Sequence, residues 1–521
     1  MFQKKKQIIQ VILVIGAVLA CAGVISHSAP NGRLSSLQVS EAEYQTIRKS
    51  HTRSDRELLG GLRMNEYSAV FDRDSDTFYY SMIEGDDDRF DPIITADGDV
   101  KLAVLSDPID ETFVKRNGTV RILAYNKTLY REYQLKLTTL PVLNIVTEKE
   151  ITGNVPVTFT MDFFDNRAEA PLRFSSSIGT IHLRGGSSKM YPKISYKIKL
   201  KSSVGKTEAR DANLLGLREN SEWILYAPYA DRDCVRSVFT TKLWKESCAK
   251  QNEFGVDNGY EFRYVEVFLN GTYHGLFALG YMPDELQIRI NEADGEVLYK
   301  NQEWFDEETD LNELDEHFSI VDGFDGFSAY ASDARWQPLK DYIALLQSDA
   351  SLKEIWNHVD RDTFENMYLF TNVTQGYDCA RDTHAKNFYI SAKKSNGSYK
   401  MLYTPWDLDI TWGKYFADYV MDVDSNYLFP FGPFRRNVPE EDPELFNELC
   451  KRYHNLRSNA WSDEAILELL SMYEAQIFDS GAYARDKECW PESDLEAGRT
   501  DLAEFKNYVI QRMAYCDQYY Q

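Results

Sequence analysis

Two stretches in the C-terminal third carry acids and an amide at spacings that suit a divalent cation. RDTHAKNFYI, residues 381–390, sets Asp382 five places ahead of Asn387, and MLYTPWDLDITWG, residues 401–413, sets Asp407 and Asp409 just after Trp406. Carboxylate and amide oxygens are hard donors of the kind Mg2+ prefers. A metal-bound acid plus a second acid that accepts a hydroxyl proton is the equipment of phosphoryl transfer, in which the protein supplies position and charge. Asp-x4-Asn alone is common, and a turn or cap acid accounts for it equally well. Asp378, four residues ahead of Asp382, is the runner-up for the proton-accepting role. Paired carboxylates also admit glycoside hydrolysis through Asp382 and Asp407.

Such residues need rigid elements to bring them together. The strand FYI after Asn387, the turn SNGS and the strand KMLYT predict a hairpin that returns Asp407 to the side of Asn387. Upstream, PKISYKIKL alternates, which puts Lys193, Ser195, Lys197 and Lys199 on one strand face and Ile194, Tyr196 and Ile198 on the other. Lys197 or Lys199 is the candidate for holding phosphates, an amphipathic edge strand being the plain alternative. The turn Arg184-Gly185-Gly186-Ser187-Ser188 could cover phosphates with backbone N–H groups. Apolar residues three and four apart predict a helix over 234–249, Asn270-Gly271 predicts a hairpin, and beyond 330 the pattern is mostly helical.

The whole chain has 521 residues, 43% of them apolar, which calls for more than one core. A formal charge of −24 repels phosphate backbones, so a nucleic-acid partner is excluded. Seven scattered cysteines without a C-x-x-C pair exclude a zinc ribbon and a disulfide scaffold.

Lys4, Lys5 and Lys6 precede an apolar run from Ile8 to Ile25 broken only by Gln10. Residues 1–28 are therefore expected to be a signal anchor in the membrane, with cleavage or lipidation near Ala20 and Cys21 as the alternatives, and the rest extracytoplasmic. Residues 29–58 read as a polar tether with a short helix. Short alternating runs over 59–140 predict a small Ig-like β-sandwich, and Pro141 marks the seam with a larger α+β domain over 141–521.

Several stretches of that larger domain resemble the spore-coat protein H (CotH) kinase family: RGGSSKMYPKISYKIKL (184–200), YAPYADRDCVRS (226–237), VEVFLNGTYHGLFAL (265–279), HVDRDTF (358–364), DTHAKNFYI (382–390) and PWDLDITWG (405–413). The resemblance implies a minimal, bilobal protein-kinase-like fold that uses ATP and Mg2+ or Mn2+ to phosphorylate a protein substrate rich in Ser and Thr. By that resemblance Asp382 is the catalytic acid, Asn387, Asp407 and Asp409 serve the metal, and Arg184, Ser187 and Lys197 or Lys199 serve the nucleotide. Arg236 is expected to tie its helix to the sheet through an Asp. Relatives carry a Glu in a segment like LLTEQVD, where this chain has ALGYMPDELQ and aligns Tyr281. Glu266 is the available substitute, although a solvent-facing strand acid is the plainer expectation for it. A shifted or missing Lys–Glu pair leaves a second reading open, a catalytically inactive surface or scaffold protein with an adhesive β-sandwich.

Overall fold

The computed structural model describes residues 31–205, 207–301, 304, 327–330, 336–381, 384–415, 420–434 and 442–521, with 187 and 327–330 described by backbone alone. The chain divides into two compact units, one ending at Thr139 and the other running from Leu140. The expected membrane anchor lies outside the described residues. Among the described residues no helix is long and apolar enough to cross a membrane.

Alternation in the first unit builds two sheets. Gly32–Arg33, Ile93–Ala96, Leu62–Met64 and Tyr67–Ser68 form one; Val70–Asp72, Thr77–Ser81, Leu129–Thr138, Val120–Tyr125 and Lys101–Leu105 form the main path of the other. Their apolar positions meet in a common core, Leu62, Met64 and Ile94 from the first against Tyr80, Val104, Ile122 and Leu135 from the second. The unit is thus a sandwich, but not an Ig-like one. Leu129–Thr138 runs parallel to Thr77–Ser81 in mid-sheet, where the Ig pattern is antiparallel.

The stretch expected to be a tether is folded onto the sandwich. Gly32–Arg33 is an edge strand paired with Ile93–Ala96. The helix Glu41–Ser50 opens with a Ser40/Glu43 capping box and buries Tyr44 against Ala103, Leu123 and Tyr130. Leu34 is buried in the sandwich core as well, and composition averaged over the segment hides such anchors.

The second unit is α+β. Seven strands close a barrel in the order Val142–Thr147, Val157–Phe164, Phe174–Arg184, Ser195–Lys201, Glu222–Tyr226, Thr272–Gly280, Phe262–Leu269. Closure comes from the parallel pairing of Val142–Thr147 with Phe262–Leu269. Asn270 and Gly271, at φ 56° and 87°, make the tight turn between the last two in sequence. Val157–Phe164 shows why the barrel fills: Phe159, Met161 and Phe163 point into the core while Thr158, Thr160 and Asp162 alternate away.

The helix Arg236–Ser247 buries Val238, Phe239, Leu243 and Trp244 in the same core. A four-stranded sheet follows, ordered Phe327–Tyr330, Val297–Asn301, Phe388–Ser395, Ser398–Pro405. It packs with the helices Gln337–Gln347, Arg361–Val373, Pro443–Arg457, Asp463–Glu474 and Ala503–Tyr519, all sharing one apolar core with the barrel.

Candidate active site

The hairpin predicted around Asn396-Gly397 is present, with Phe388 paired to Pro405 and Ser395 to Ser398. Its open end fixes the site. The Trp406 N–H donates to the Asn387 carbonyl at 2.9 Å, which places Asp407 one residue beyond Asn387's partner. Asn387 and Asp407 both have φ near +55°, at 55° and 57°. Both lie in the left-handed region, which asparagine and aspartate adopt more readily than most side chains.

The acid brought to Asn387 is Asp378. Ala380–Arg381 pairs with His384–Ala385, and the Lys386 N–H donates to the Cys379 carbonyl at 3.1 Å. That register carries Asp378 opposite Asn387, whose amide donates to the Asp378 carboxylate at 2.8 Å and to its carbonyl at 3.1 Å. Asp382 lies outside the described residues. The other Asp378 oxygen, Oδ1, is buried without a hydrogen-bond partner; Lys386 Nζ stands 3.8 Å from it. Burial pushes the Asp378 carboxyl up to about 6, with Lys386 opposing and Asp407 adding to the rise. Asp409 is pushed up to about 7, first by burial and then by Asp407. Three acids therefore share one region, and for two of them burial disfavours the charge more than the nearby Lys386 and Lys414 relieve it.

Two cations lie on the ring of Trp406, the residue that precedes Asp407. Arg184, at the end of its barrel strand, lies over the Trp406 ring with its guanidinium carbon 5.5 Å from the centroid. Lys300 Nζ lies 5.2 Å from the same centroid and 5.7 Å from that of Tyr389. Tyr260 packs on Trp406 at 4.7 Å, its hydroxyl buried and without a hydrogen-bond partner. Burial and then Arg184 bring the Lys300 ammonium down to about 7, Asp407 acting in the opposite sense. Lys300 was missed in the sequence. Its signal was a lone cation closing the apolar run Val297-Leu298-Tyr299, which reads as an ordinary strand end.

The expected lysine strand is present but begins at Ser195, so Lys193 is not on it. Lys193 is sealed in the core, its ammonium bonded to Asp486 at 2.7 and 2.8 Å. Lys197 and Lys199 both end on Glu222 of the neighbouring strand, each at 2.7 Å. Gly185 sits at φ 121° and Ser187 opens a short 3-10 turn ending at Met190. Glu266 does not face solvent: it is fully buried, paired with Arg485 at 2.7 Å and accepting from the Tyr273 hydroxyl at 3.0 Å. Tyr281, at the position of the relatives' Glu, accepts from Lys245 at 2.9 Å. Arg236 binds Asp231 at 2.6 Å and reaches Asp233 and the Thr411 carbonyl.

Among the described residues no group of three or more His, Cys, Asp and Glu stands close enough to hold a metal ion. The donors that fit a hard cation are Oδ1 of Asp378, which accepts no hydrogen bond, the Asn387 amide oxygen and the exposed Asp407 carboxylate, with water completing the shell.

A family model described as CotH kinase protein matches residues 181–516, a span that takes in every site residue from Arg184 to Asp409. No curated protein matches the chain. By this match over more than half of its length, the chain belongs to the CotH kinase protein family.

Proposed function

We propose that the protein is a metal- and ATP-dependent phosphotransferase that moves the γ-phosphoryl group to a Ser or Thr hydroxyl of a protein substrate. The observation that carries this reading is that two cations with no ion-pair partner among the described residues, Arg184 and Lys300, lie on Trp406, which is bonded through its backbone to Asn387 and precedes Asp407. Cations on one side suit a polyphosphate and hard oxygen ligands on the other suit its metal, the two requirements of phosphoryl transfer. Family membership supports the same chemistry at the coarser level of a kinase.

In the reaction, the acceptor oxygen forms a bond to the γ-phosphorus as the bond to the β,γ-bridging oxygen breaks. The nucleoside diphosphate leaves with that oxygen, and the hydroxyl proton passes to a carboxylate. Asp378 is the acid supported for that role. It is held beside Asn387, and its carboxyl titrates near 6, so it is ionised at neutral pH yet basic enough to take a proton. Asn387 and Asp407 would hold the divalent ion, which lowers the charge on the phosphates when bound. Asp409 stands behind Asp407 as its electrostatic neighbour. The Gly185-Gly186 turn offers backbone N–H groups to the phosphates.

The test is transfer of labelled phosphate from ATP to a Ser-rich peptide or to the chain itself, with Mg2+ or Mn2+. Asp378→Asn and Asp407→Asn are expected to abolish transfer, and Asp382→Asn read beside them separates the two candidate bases. A parent protein that transfers nothing with either metal would leave the second reading, a surface or scaffold protein on a kinase-like fold.

A further inference from the structure

Phosphoryl transfer needs a cation on the phosphate chain, and the sequence pattern offers the strand Ser195–Lys201 for it. Charge accounting in the folded chain points elsewhere. Lys197 and Lys199 share one carboxylate, Glu222, at 2.7 Å each, partly exposed pairs that already balance part of their charge. Lys193 is sealed against Asp486. Arg184 and Lys300 differ. Among the described residues neither has a carboxylate within ion-pair reach, in a chain with 82 acidic side chains against 58 lysines and arginines. Both instead lie on the ring of Trp406.

We infer that Lys300, together with Arg184, is the cation that takes the phosphate chain of the nucleotide. This inference rests on the phosphotransferase reading above and names the phosphate subsite within it.

Position supports it. Lys300 pairs across the sheet with Tyr389, two residues from Asn387. Trp406, under both cations, is joined to Asn387 through its backbone N–H and is followed directly by Asp407. One aromatic ring thus links two cations to the segment that carries two oxygen donors. Two like charges kept together in a partly dry place repel one another, and the repulsion is relieved when a polyanion arrives. The division of labour also fits the side chains. The planar guanidinium of Arg184 matches two phosphate oxygens at once, while the ammonium of Lys300 is a point charge suited to a bridging position.

The experiment measures binding to the full chain, in Mg2+, of three probes: ATP, inorganic tripolyphosphate and adenosine. Lys300→Met is expected to weaken ATP and tripolyphosphate by roughly 10- to 100-fold while leaving adenosine unchanged, because only the phosphate contact is lost. Lys197→Met and Lys199→Met are expected to stay within about 3-fold of the parent for all probes. Lys300→Arg should recover part of the loss. The inference is overturned if Lys300→Met binds both phosphate probes like the parent, or if Lys197→Met or Lys199→Met carries the loss. Should Lys300→Met fail to fold, Arg184→Met with the same probes must show the selective loss or the inference falls. A parent that binds tripolyphosphate through Lys300 but transfers no phosphate would retain the anion subsite and sink the phosphotransferase reading. A parent that binds neither phosphate probe sinks both.

Discussion

The Asn387 amide donates to the Asp378 carboxylate at 2.8 Å, across nine residues of chain. This contact ties an acid to the open end of the Phe388–Pro405 hairpin. Because it is charge-assisted and buried, it holds both the acid's orientation and the amide's.

A double-mutant cycle measures that coupling. Asp378→Ala, Asn387→Ala and the double variant, unfolded in urea, are expected to give an interaction energy of about 1–3 kcal/mol, the range for buried partners in one hydrogen-bond pair. Additive effects would mean that the two side chains do not depend on one another.

Asp409 predicts a pH effect in the metal-free protein. Its folded pKa, about 7, lies above the ordinary carboxylate value because burial and Asp407 disfavour the charge. A raised carboxyl contributes its stability at acid pH, below its unfolded value, and loses it as pH climbs through the folded one. Removing the carboxyl should remove that loss. With chelator present, Asp409→Asn should melt about 2–4 °C above the parent at pH 8 and alongside it near pH 4. The comparison is a pair of melting curves at the two pH values, and a lower melting point for the variant at pH 8 contradicts the argument.

Glu266 and Arg485 form a sealed ion pair, with side chains 0% and 1% exposed. Arg485→Met leaves a carboxylate in the core with no cation, and such half-pairs typically cost about 3–5 kcal/mol. Adding Glu266→Met should restore most of it, since neither charge then remains buried. Chemical denaturation of the single and double variants provides the reading.

Gly413 closes the run PWDLDITWG at φ 82°, and a Cβ there would come 2.3 Å from the ring of Tyr508. Tyr508 cannot simply swing away, because its hydroxyl is bonded to Gln375 at 2.6 Å and to the Met421 carbonyl at 2.8 Å. Gly413→Ala should therefore destabilise by roughly 2–4 kcal/mol, combining left-handed strain with the clash. The control Tyr508→Phe/Gly413→Ala should recover little, since the ring remains.

The sequence alone determined the elements whose signals are local. The Asn270-Gly271 and Asn396-Gly397 turns, the alternation of Val157–Phe164 and the apolar spacing of Arg236–Ser247 are each written within a few residues, and the family was legible from six short stretches. The hairpin that returns Asp407 to Asn387 followed from turn chemistry and strand period. What it could not determine were pairings between distant segments. No spacing reveals that Glu222 captures Lys197 and Lys199, that Asp486 and Arg485 lock Lys193 and Glu266 from more than two hundred residues away, or that Lys300 arrives over Trp406. Nor does it show that Tyr44 and Leu34 dock their segment onto the sandwich. Local patterns fix backbone conformation because that energy is set by near neighbours. Which charge meets which is decided only when closure of the barrel and burial of the core bring remote side chains into one low-dielectric space, where an unpaired charge becomes expensive and a paired one becomes fixed.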